Sequence, residues 1–284
     1  MKPAPFAYQR PTTLEEALEA LAGEPGAKVL AGGQSLVPLL SMRLAAPSML
    51  VDINALPDLG GIHVDASGVR IGALARHAAV LASTEAAASQ PLLAMALSHV
   101  AHPTIRNRGT TVGSIVHADA AAEMPMVLRL LEGSVDVASV RGRRTVPAGE
   151  LFAGPLESTL AHDEIAVEAF FPALPAGAGV GFQEIARRHG DYALVGVAAL
   201  VETDGDRVAR ARLGFVSVSD VPTVVDVTDA LDDPAAKALA ELDPGDDIHA
   251  TAAYRAHLVT VLARRVLAAA TDHARERARQ EASA

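Results

Sequence analysis

Two adjacent glycines and two polar residues, Gly32-Gly33-Gln34-Ser35, form the first pattern in this chain that could do chemistry. They interrupt an apolar run, which resumes at Leu36 with helical spacing. The pattern predicts a strand, a tight turn and then a helix whose first backbone N–H groups lack intrahelical acceptors. Such a turn, at the positive end of a helix dipole, suits a phosphate or pyrophosphate group. The alternative is an ordinary strand-to-helix turn capped by Ser35.

A second polar segment, residues 99–115, contains glycines and is flanked by apolar residues. We predict a long loop here, and a loop of this length inside a compact domain usually has a function. Residues 116–125 then present polar groups again before an apolar segment. Two such loops could hold one ligand between them. The polar side chains of His102, His117 and Asp119 are expected to be hydrogen-bonding loop residues rather than catalysts.

Composition limits the possible partners and cofactors. The formal net charge of −10 argues against nucleic acid as a partner, because an acidic surface repels a phosphate backbone. The chain has no Cys, so it cannot hold an iron–sulfur cluster or a metal ion through thiolates. The first residues lack the apolar core of a signal peptide, and the longest apolar run, residues 193–201, is too short to span a membrane. We therefore expect a cytoplasmic protein without a membrane span.

The order of the predicted elements indicates a first domain, residues 1–176, with two subdomains that meet near residue 57. The first subdomain is predicted to be a small parallel βαβ unit, and the second an antiparallel sheet with helices. The predicted elements are a helix from residue 14 to near 23, strands over 29–31 and 49–53, a helix over 36–44, a hairpin of 62–64 with 69–73, a helical segment over 84–98 and a strand over 164–171.

A segment rich in Pro, Gly and Ala, residues 172–179, marks the boundary to a second domain, residues 177–284. Here we predict a three-stranded antiparallel sheet followed by a helical bundle, so that the expected fold class of the whole chain is α+β. The basic residues of the last helix are expected to be solvated surface. The predicted strands are 181–186, 193–202 and 208–218, and the predicted helices are 224–231, 234–242 and 251–276.

Five short motifs occur in order along the chain: Ala31-Gly32-Gly33-Gln34-Ser35-Leu36, Ile105-Arg106-Asn107-Arg108-Gly109-Thr110, Gly113-Ser114, His117-Ala118-Asp119 and Glu123-Met124-Pro125. Together they resemble the FAD-binding subunits of molybdenum hydroxylases. They are most similar to the medium subunit of aerobic carbon monoxide dehydrogenases and to the flavin domain of xanthine dehydrogenases. The resemblance covers nearly the whole chain, because residues 6–11 and 186–193 also fit the pattern of the family.

The resemblance implies that residues 1–176 bind FAD and that its pyrophosphate contacts two segments, residues 29–36 and 110–114. Backbone N–H groups and the hydroxyls of Ser35 and Thr110 would be the donors. The resemblance implies no catalytic side chain and no metal ligand. The complete set of cofactor-binding residues that it implies is Val29, Leu30, Ala31, Gly32, Gly33, Gln34, Ser35, Leu36, Ala101, Thr110, Thr111, Val112, Gly113, Ser114, Asp119, Glu123, Ile165, Gln183 and Tyr192.

Four of these residues would have particular roles. The resemblance implies an acidic contact at Glu123, an apolar wall at Ile165, a polar contact at Gln183 and a position near the isoalloxazine ring for Tyr192. A half-buried packing role is the alternative for Tyr192.

The chain departs from the family pattern at two positions. Val112 stands where the family has a glycine, and Ala120 stands where it has a proline after Asp119. Because a β-branched residue disfavours positive φ, we expect the second loop either to draw back from the cofactor or to carry strain at Val112. Neither change removes a backbone donor.

The resemblance implies an oxidoreductase subunit that passes electrons through its flavin. Electrons would come from a molybdopterin large subunit through the iron–sulfur clusters of a small subunit, and would leave FAD for a small-molecule acceptor. Two alternatives stay open. The chain could be a free-standing FAD-dependent oxidoreductase that acts directly on a small molecule, or a non-enzymatic nucleotide-binding or scaffold protein that has lost the flavin.

Overall fold

The computed structural model describes residues 2–205 and 207–282, and Met1, Asp206 and the last two residues lie outside the described residues. Within those ranges the chain has the predicted α+β fold, built on one parallel sheet and two larger antiparallel sheets. None of the helices in the described ranges combines the length and the apolar composition that crossing a lipid bilayer requires.

The N-terminal unit is a small parallel sheet with two helices. Its elements are β1 (Ala7–Gln9), α1 (Leu14–Gly23), β2 (Ala27–Leu30), α2 (Leu36–Met42), β3 (Met49–Asp52) and a short 3-10 helix (Ile53–Ala55). Strand β3 lies in the middle and pairs in parallel with both β1 and β2, which confirms the predicted βαβ unit. The α1 helix begins with a capping box, in which the hydroxyl of Thr13 accepts the N–H of Glu16 and the Glu16 carboxylate accepts the N–H of Thr13.

The middle unit is built on a five-stranded antiparallel sheet in the order β4-β5-β10-β6-β7. Its strands are β4 (Ile62–Asp65), β5 (Gly68–Gly72), β6 (Ser134–Ser139), β7 (Gly142–Pro147), β8 (Phe152–Gly154), β9 (Glu157–Ser158) and β10 (Ile165–Pro172), of which β8 and β9 form a separate two-stranded sheet. The hairpin of β4 with β5 confirms the prediction from the sequence. Strand β10 lies at the centre of the sheet, where alternate residues face the core.

Helices cover one part of this sheet and carry the candidate loops. They are α3 (His77–Ala82), α4 (Thr84–Ser89), α5 (Pro91–Leu97), α6 (Pro103–Arg106), α7 (Thr111–His117), α8 (Glu123–Leu130) and α9 (Ala148–Leu151). Pro91 and Pro103 each stand in the first turn of a helix, where the missing N–H has no intrahelical partner to lose. The prediction of one uninterrupted loop over residues 99–115 is therefore wrong, because α6 and the start of α7 lie within it.

The C-terminal unit is an antiparallel sheet with a helical layer. Its elements are β11 (Ala178–Ala186), β12 (Ala193–Asp204), β13 (Arg207–Val216), β14 (Thr223–Asp226), α10 (Pro234–Leu239) and α11 (Ala252–Ala282). The described sheet has four strands rather than the predicted three, and β14 replaces the start of the helix predicted over residues 224–231. Its β-branched residues, Thr223, Val224 and Val225, fit a pleated sheet better than a helix. In the described part of the unit, α10 and α11 form a layer rather than a bundle.

Both faces of the C-terminal sheet are covered. On one face α11 comes so close that a Cβ built on Gly179 would lie 2.2 Å from the carbonyl oxygen of Ala270. On the other face α8 packs against β13, and a Cβ built on Gly214 would lie 2.6 Å from the sulfur of Met126. Buried residues of β11 and β12 on this second face belong to the same apolar core as the middle unit. The two predicted domains therefore share a continuous core.

Candidate functional site

The turn between β2 and α2 is the first candidate for phosphate binding. Gly33 has a φ of +71°, a backbone conformation that residues with side chains rarely adopt. The Ser35 side chain makes no cap hydrogen bond to α2, so the structure differs from an ordinary Ser-capped turn. Within residues 2–205 and 207–282, no protein acceptor is hydrogen-bonded to the backbone N–H groups of residues 32–36. Consecutive free N–H groups at the start of a helix suit an anion with several oxygens.

The first turn lies directly against the second candidate loop. A Cβ built on Gly32 would lie 2.5 Å from the carbonyl oxygen of Arg108, 2.8 Å from Cα of Gly109 and 3.0 Å from the backbone nitrogen of Thr110. Any side chain at Gly32 would therefore collide with backbone atoms of the second loop, which cannot move aside like a flexible side chain. The motifs around residues 31–36 and 105–110, far apart in sequence, form one surface.

The second loop ends where Thr110 caps α7. Its hydroxyl oxygen accepts the N–H of Gly113 at 3.2 Å, and its carbonyl oxygen accepts the N–H of Ser114 at 3.0 Å. The hydroxyl hydrogen of Thr110 is still available to a ligand.

Thr111 instead turns into the protein: it is fully buried, and its hydroxyl lies 3.1 Å from Nδ1 of His77. Burial lowers the pKa of His77 to about 4, so His77 is neutral and can pair with this hydroxyl.

Val112 occupies the second position of α7, with helical backbone rather than the positive φ of a glycine turn. Its side chain is 2% exposed and belongs to the shared apolar core. A β-branched residue can adopt this negative φ without strain, and here it buries apolar surface. The expected strain at Val112 is therefore wrong, whereas a loop that draws back from the cofactor stays a prediction. In the part of the chain that the structure describes, its backbone N–H has no protein acceptor and remains available to a ligand.

Two buried carboxyl groups lie at the boundary between the middle and C-terminal units. Glu123 begins α8 and is 7% exposed, and Glu184 on β11 has a side chain that is 4% exposed. Oε1 of Glu184 lies 3.3 Å from Nδ1 of His99, whereas its buried Oε2 has no hydrogen-bond partner among the described residues. Burial, followed by the negative charge of Glu184, raises the pKa of Glu123 to about 8. We call Glu123, Glu184 and His99 the boundary cluster.

Asp119 and Tyr192 flank the boundary cluster. The N–H of Ala121 donates to Oδ1 of Asp119 at 2.9 Å, which fixes the turn that leads into α8. Partial desolvation, followed by the negative charges of Asp119 and Glu123, raises the pKa of Tyr192, so its phenol faces these two carboxyl groups. Tyr192 is nevertheless 63% exposed, which does not fit a packing role. An exposed aromatic ring of this kind can cover a flat ligand.

Some of the remaining predicted residues support these loops from nearby. Val29 and Leu30 belong to the end of β2, directly before the first turn. Ala101 has a φ of +43°, and its carbonyl oxygen accepts a hydrogen bond from Arg106 at 2.9 Å. The same carbonyl oxygen lies 3.0 Å from a Cβ built on Gly190, so this segment touches the loop between β11 and β12.

Two other predicted residues have different surroundings, one buried and one exposed. Ile165 is 1% exposed and lies in the apolar core at the start of β10. Gln183 is exposed and occupies a strand position that alternates with those of Phe182 and Glu184. Because successive side chains of a strand point to opposite faces, the structure does not bring Gln183 to the boundary cluster.

The sequence reasoning missed Asn54, Arg76, His99 and Glu184, all of which contact the candidate loops or the boundary cluster. Asn54 follows β3, and the first turn follows β2, the parallel neighbour of β3. The predicted order of the strands could therefore have placed Asn54 beside the first turn. Strand alternation could have placed Glu184 opposite Gln183. Arg76 and His99 carry no local signal, because their partners Arg108 and Glu184 are distant in sequence.

Known proteins resemble this chain over most of its length. The family described as "FAD binding domain in molybdopterin dehydrogenase" matches residues 4–174, and the "CO dehydrogenase flavoprotein C-terminal domain" matches residues 181–231. Among characterised relatives, the 6-hydroxypseudooxynicotine dehydrogenase complex subunit alpha of Paenarthrobacter nicotinovorans is 42% identical, over 97% of each chain. The carbon monoxide dehydrogenase medium chain of Hydrogenophaga pseudoflava is 34% identical, over 95% of this chain and 98% of that protein.

Solved structures share the fold. Carbon monoxide dehydrogenase from Hydrogenophaga pseudoflava superimposes with a TM-score of 0.90 at 33% identity and covers 96% of this chain and 99% of its own. Quinoline 2-oxidoreductase from Pseudomonas putida 86 gives a TM-score of 0.88 at 37% identity, with coverage of 96% and 99%. The similarity therefore extends across the middle and C-terminal units and the boundary between them.

We expect Glu123→Gln to reduce the pH dependence of stability of the flavin-free chain. Because folding raises the pKa of Glu123 from 4.5 to about 8, the folded chain retains a proton that the unfolded chain releases between these values. This stabilisation is complete below pH 4.5 and is lost as the pH rises through about 8, at ~1.4 kcal/mol for each unit of pKa difference. The glutamine side chain of the variant does not titrate in this range. Urea unfolding across these pH values measures the difference.

The matched control for this prediction is Glu150→Gln, because Glu150 is an exposed residue of α9 in the middle unit. The control should follow the parent at every pH. The prediction is contradicted if the parent and the Glu123→Gln variant lose stability equally as the pH rises from 5 to 8.

Proposed function

Because this chain belongs to the family of FAD-binding subunits of molybdenum hydroxylases, we propose that it relays electrons from an iron–sulfur subunit to an external acceptor. Its cofactor is FAD, and its relatives are flavin subunits of dehydrogenases. Relatives described as medium subunits or medium chains are parts of multi-subunit enzymes. The proposed partners are a small subunit with iron–sulfur clusters and a large subunit with the molybdopterin cofactor. A small molecule is the proposed final acceptor.

The observation that carries this proposal is the absence of Cys from the whole sequence, in a chain whose family binds FAD. Without thiolates the chain cannot hold an iron–sulfur cluster of the usual kind, so a cluster that reduces its flavin must belong to another chain. Val112 is a buried helical residue, so backbone strain at this position gives no support to the free-standing alternative.

The residues of the candidate site fit FAD. The free N–H groups of residues 32–36 and the N-terminus of α7 offer donors for the two phosphates of its pyrophosphate, and Gly33 has the positive φ that such a cradle requires. Bound FAD would supply the redox chemistry, since a flavin can take up electrons singly, as iron–sulfur clusters deliver them, and release an electron pair. The chain contributes binding, orientation and electrostatics.

Near the flavin ring we place Tyr192 and the boundary cluster. The exposed phenol of Tyr192 can cover a flat ring, and the buried Glu123 can hold a proton at neutral pH because its pKa is about 8. The names of relatives include nicotine, caffeine and carbon monoxide enzymes. In the proposed relay the substrate is oxidised on another subunit, so the residues of this chain do not select it.

We expect the flavin of the isolated chain to stay oxidised when a small organic substrate is added without oxygen. The matching iron–sulfur and molybdopterin subunits should restore rapid reduction, because the electrons must enter through the clusters. Stopped-flow absorbance of the flavin band, with and without these subunits, measures this. The control is chemical reduction by dithionite, which should bleach the flavin in both samples. Rapid reduction of the isolated chain by substrate would overturn the relay and favour a free-standing enzyme.

We also expect Gly33→Val to weaken FAD binding by on the order of 1–3 kcal/mol, because φ at this position is +71° and valine is strained there. The matched control is Gly205→Val, since Gly205 has a φ of +59° in open space at the far end of β12. The control should lower the unfolding temperature but leave FAD affinity unchanged. Equal FAD affinity in folded Gly33→Val and parent would reject this turn as the phosphate site.

A further inference from the structure

A hydrogen-bonded bridge joins the two loops that meet at Gly32. Arg76 donates through Nη1 to the carbonyl oxygen of Arg108 at 2.6 Å, and through Nη2 to Oδ1 of Asn54 at 2.7 Å. Asn54 in turn donates through Nδ2 to the carbonyl oxygen of Ala31 at 2.8 Å. Ala31 belongs to the first loop and Arg108 to the second. Two side chains that lie in neither loop therefore connect the backbones of both.

The bridge is held in place by the fold around it. Oδ1 of Asp52 accepts the backbone N–H of Asn54 at 2.9 Å and its Nδ2 at 2.6 Å, while Oδ2 accepts the hydroxyl of Tyr8 at 2.6 Å. Burial opposes the charge on Asp52, but these hydrogen bonds more than offset it and hold its pKa below the ordinary value. The backbone of Arg76 pairs with Thr110 through an isolated antiparallel bridge. The orientation of both bridging side chains is therefore fixed by the sheets.

We propose that Asn54 and Arg76 are positioning residues that set the separation of the two FAD-binding loops. The inference rests on the FAD site of the proposed function, but neither residue is among the cofactor contacts that the family resemblance implies. N–H groups from two loops can bind one pyrophosphate together only if the loops keep a fixed distance. A bridge formed during folding removes the cost of ordering the loops when FAD binds.

The chemistry of the bridge requires an arginine. Its planar guanidinium group presents two terminal nitrogens to two acceptors that belong to different segments. A lysine has a single nitrogen on a flexible stem and cannot hold both contacts in the same fixed geometry. Likewise Asn54 must accept from Arg76 and donate to Ala31 at the same time, which aspartate cannot do.

A double-mutant cycle on FAD affinity tests this inference. The full-length chain is stripped of flavin and titrated with FAD, and binding is followed by quenching of flavin fluorescence. The variants are Asn54→Ala, Arg76→Ala and the double variant, with Asn54→Asp and Arg76→Lys as milder replacements should an alanine variant fail to fold. Thermal unfolding of each flavin-free variant is measured in parallel. The matched control is Arg70→Ala, because Arg70 pairs with Glu168 at 3.2 Å in the antiparallel sheet.

We expect each single variant to bind FAD about ten- to hundredfold more weakly, which corresponds to the loss of a hydrogen bond to a charged group. Because both residues act through one bridge, the FAD affinity of the double variant should be about equal to that of whichever single variant binds FAD more weakly. The Arg76→Lys variant should bind FAD about as weakly as the Arg76→Ala variant. The Arg70→Ala control should keep the FAD affinity of the parent, even though it also loses an ion pair.

Two results would overturn the inference. If the effects of Asn54→Ala and Arg76→Ala multiply in the double variant, Arg76 acts on the ligand directly rather than through Asn54. If the single variants lose thermal stability but keep the FAD affinity of the parent, the bridge is only structural. Failure of the proposed electron relay would be seen in a different measurement, the reduction of the flavin by the partner subunits. It is therefore distinguishable from the two results above, which come from FAD titration and thermal unfolding.

Discussion

The close contact between two backbone segments at Gly32 is the constraint on which the candidate site depends. Atoms of residues 108–110 lie so near to Gly32 that even one methyl group would collide with them. This contact brings a turn from a parallel sheet against the start of α7, which is positioned by an antiparallel sheet. The proposed pyrophosphate site draws its N–H groups from both of these segments. The site therefore exists only when both sheets are folded against each other.

The C-terminal unit completes the site through its packing. Its sheet shares an apolar core with the middle unit on one face and is covered by α11 on the other. This arrangement holds Glu184 of β11 next to Glu123 of α8, and it presents Tyr192 beside them. A buried pair of carboxyl groups is costly unless a proton or a partner reduces its charge, and the raised pKa of Glu123 reflects that cost. The charge at the domain boundary thus depends on how closely the two units pack.

Local patterns in the sequence were sufficient to predict the elements of the fold that depend on neighbouring residues. The βαβ unit and the tight turn at Gly32-Gly33 follow from spacing and from the backbone freedom of glycine. Short apolar segments were ambiguous, and for this reason β14 was predicted as a helix. Val112 was misjudged because a family glycine suggested a turn, whereas its position in α7 is set by the cap at Thr110. The bridge of Asn54 and Arg76 depends on long-range contacts that no local pattern contains.

Comparison of FAD with FMN tests the central claim most directly, because FMN carries the same flavin ring but lacks the pyrophosphate. Fluorescence titration of the flavin-free chain should give about one FAD per chain. FMN should bind at least about a hundredfold more weakly, which corresponds to ~2.7 kcal/mol of lost contacts to the two loops. Equal affinity for FAD and FMN would show that the loops at Gly32 and Thr110 do not hold a pyrophosphate, and it would contradict the account of this site.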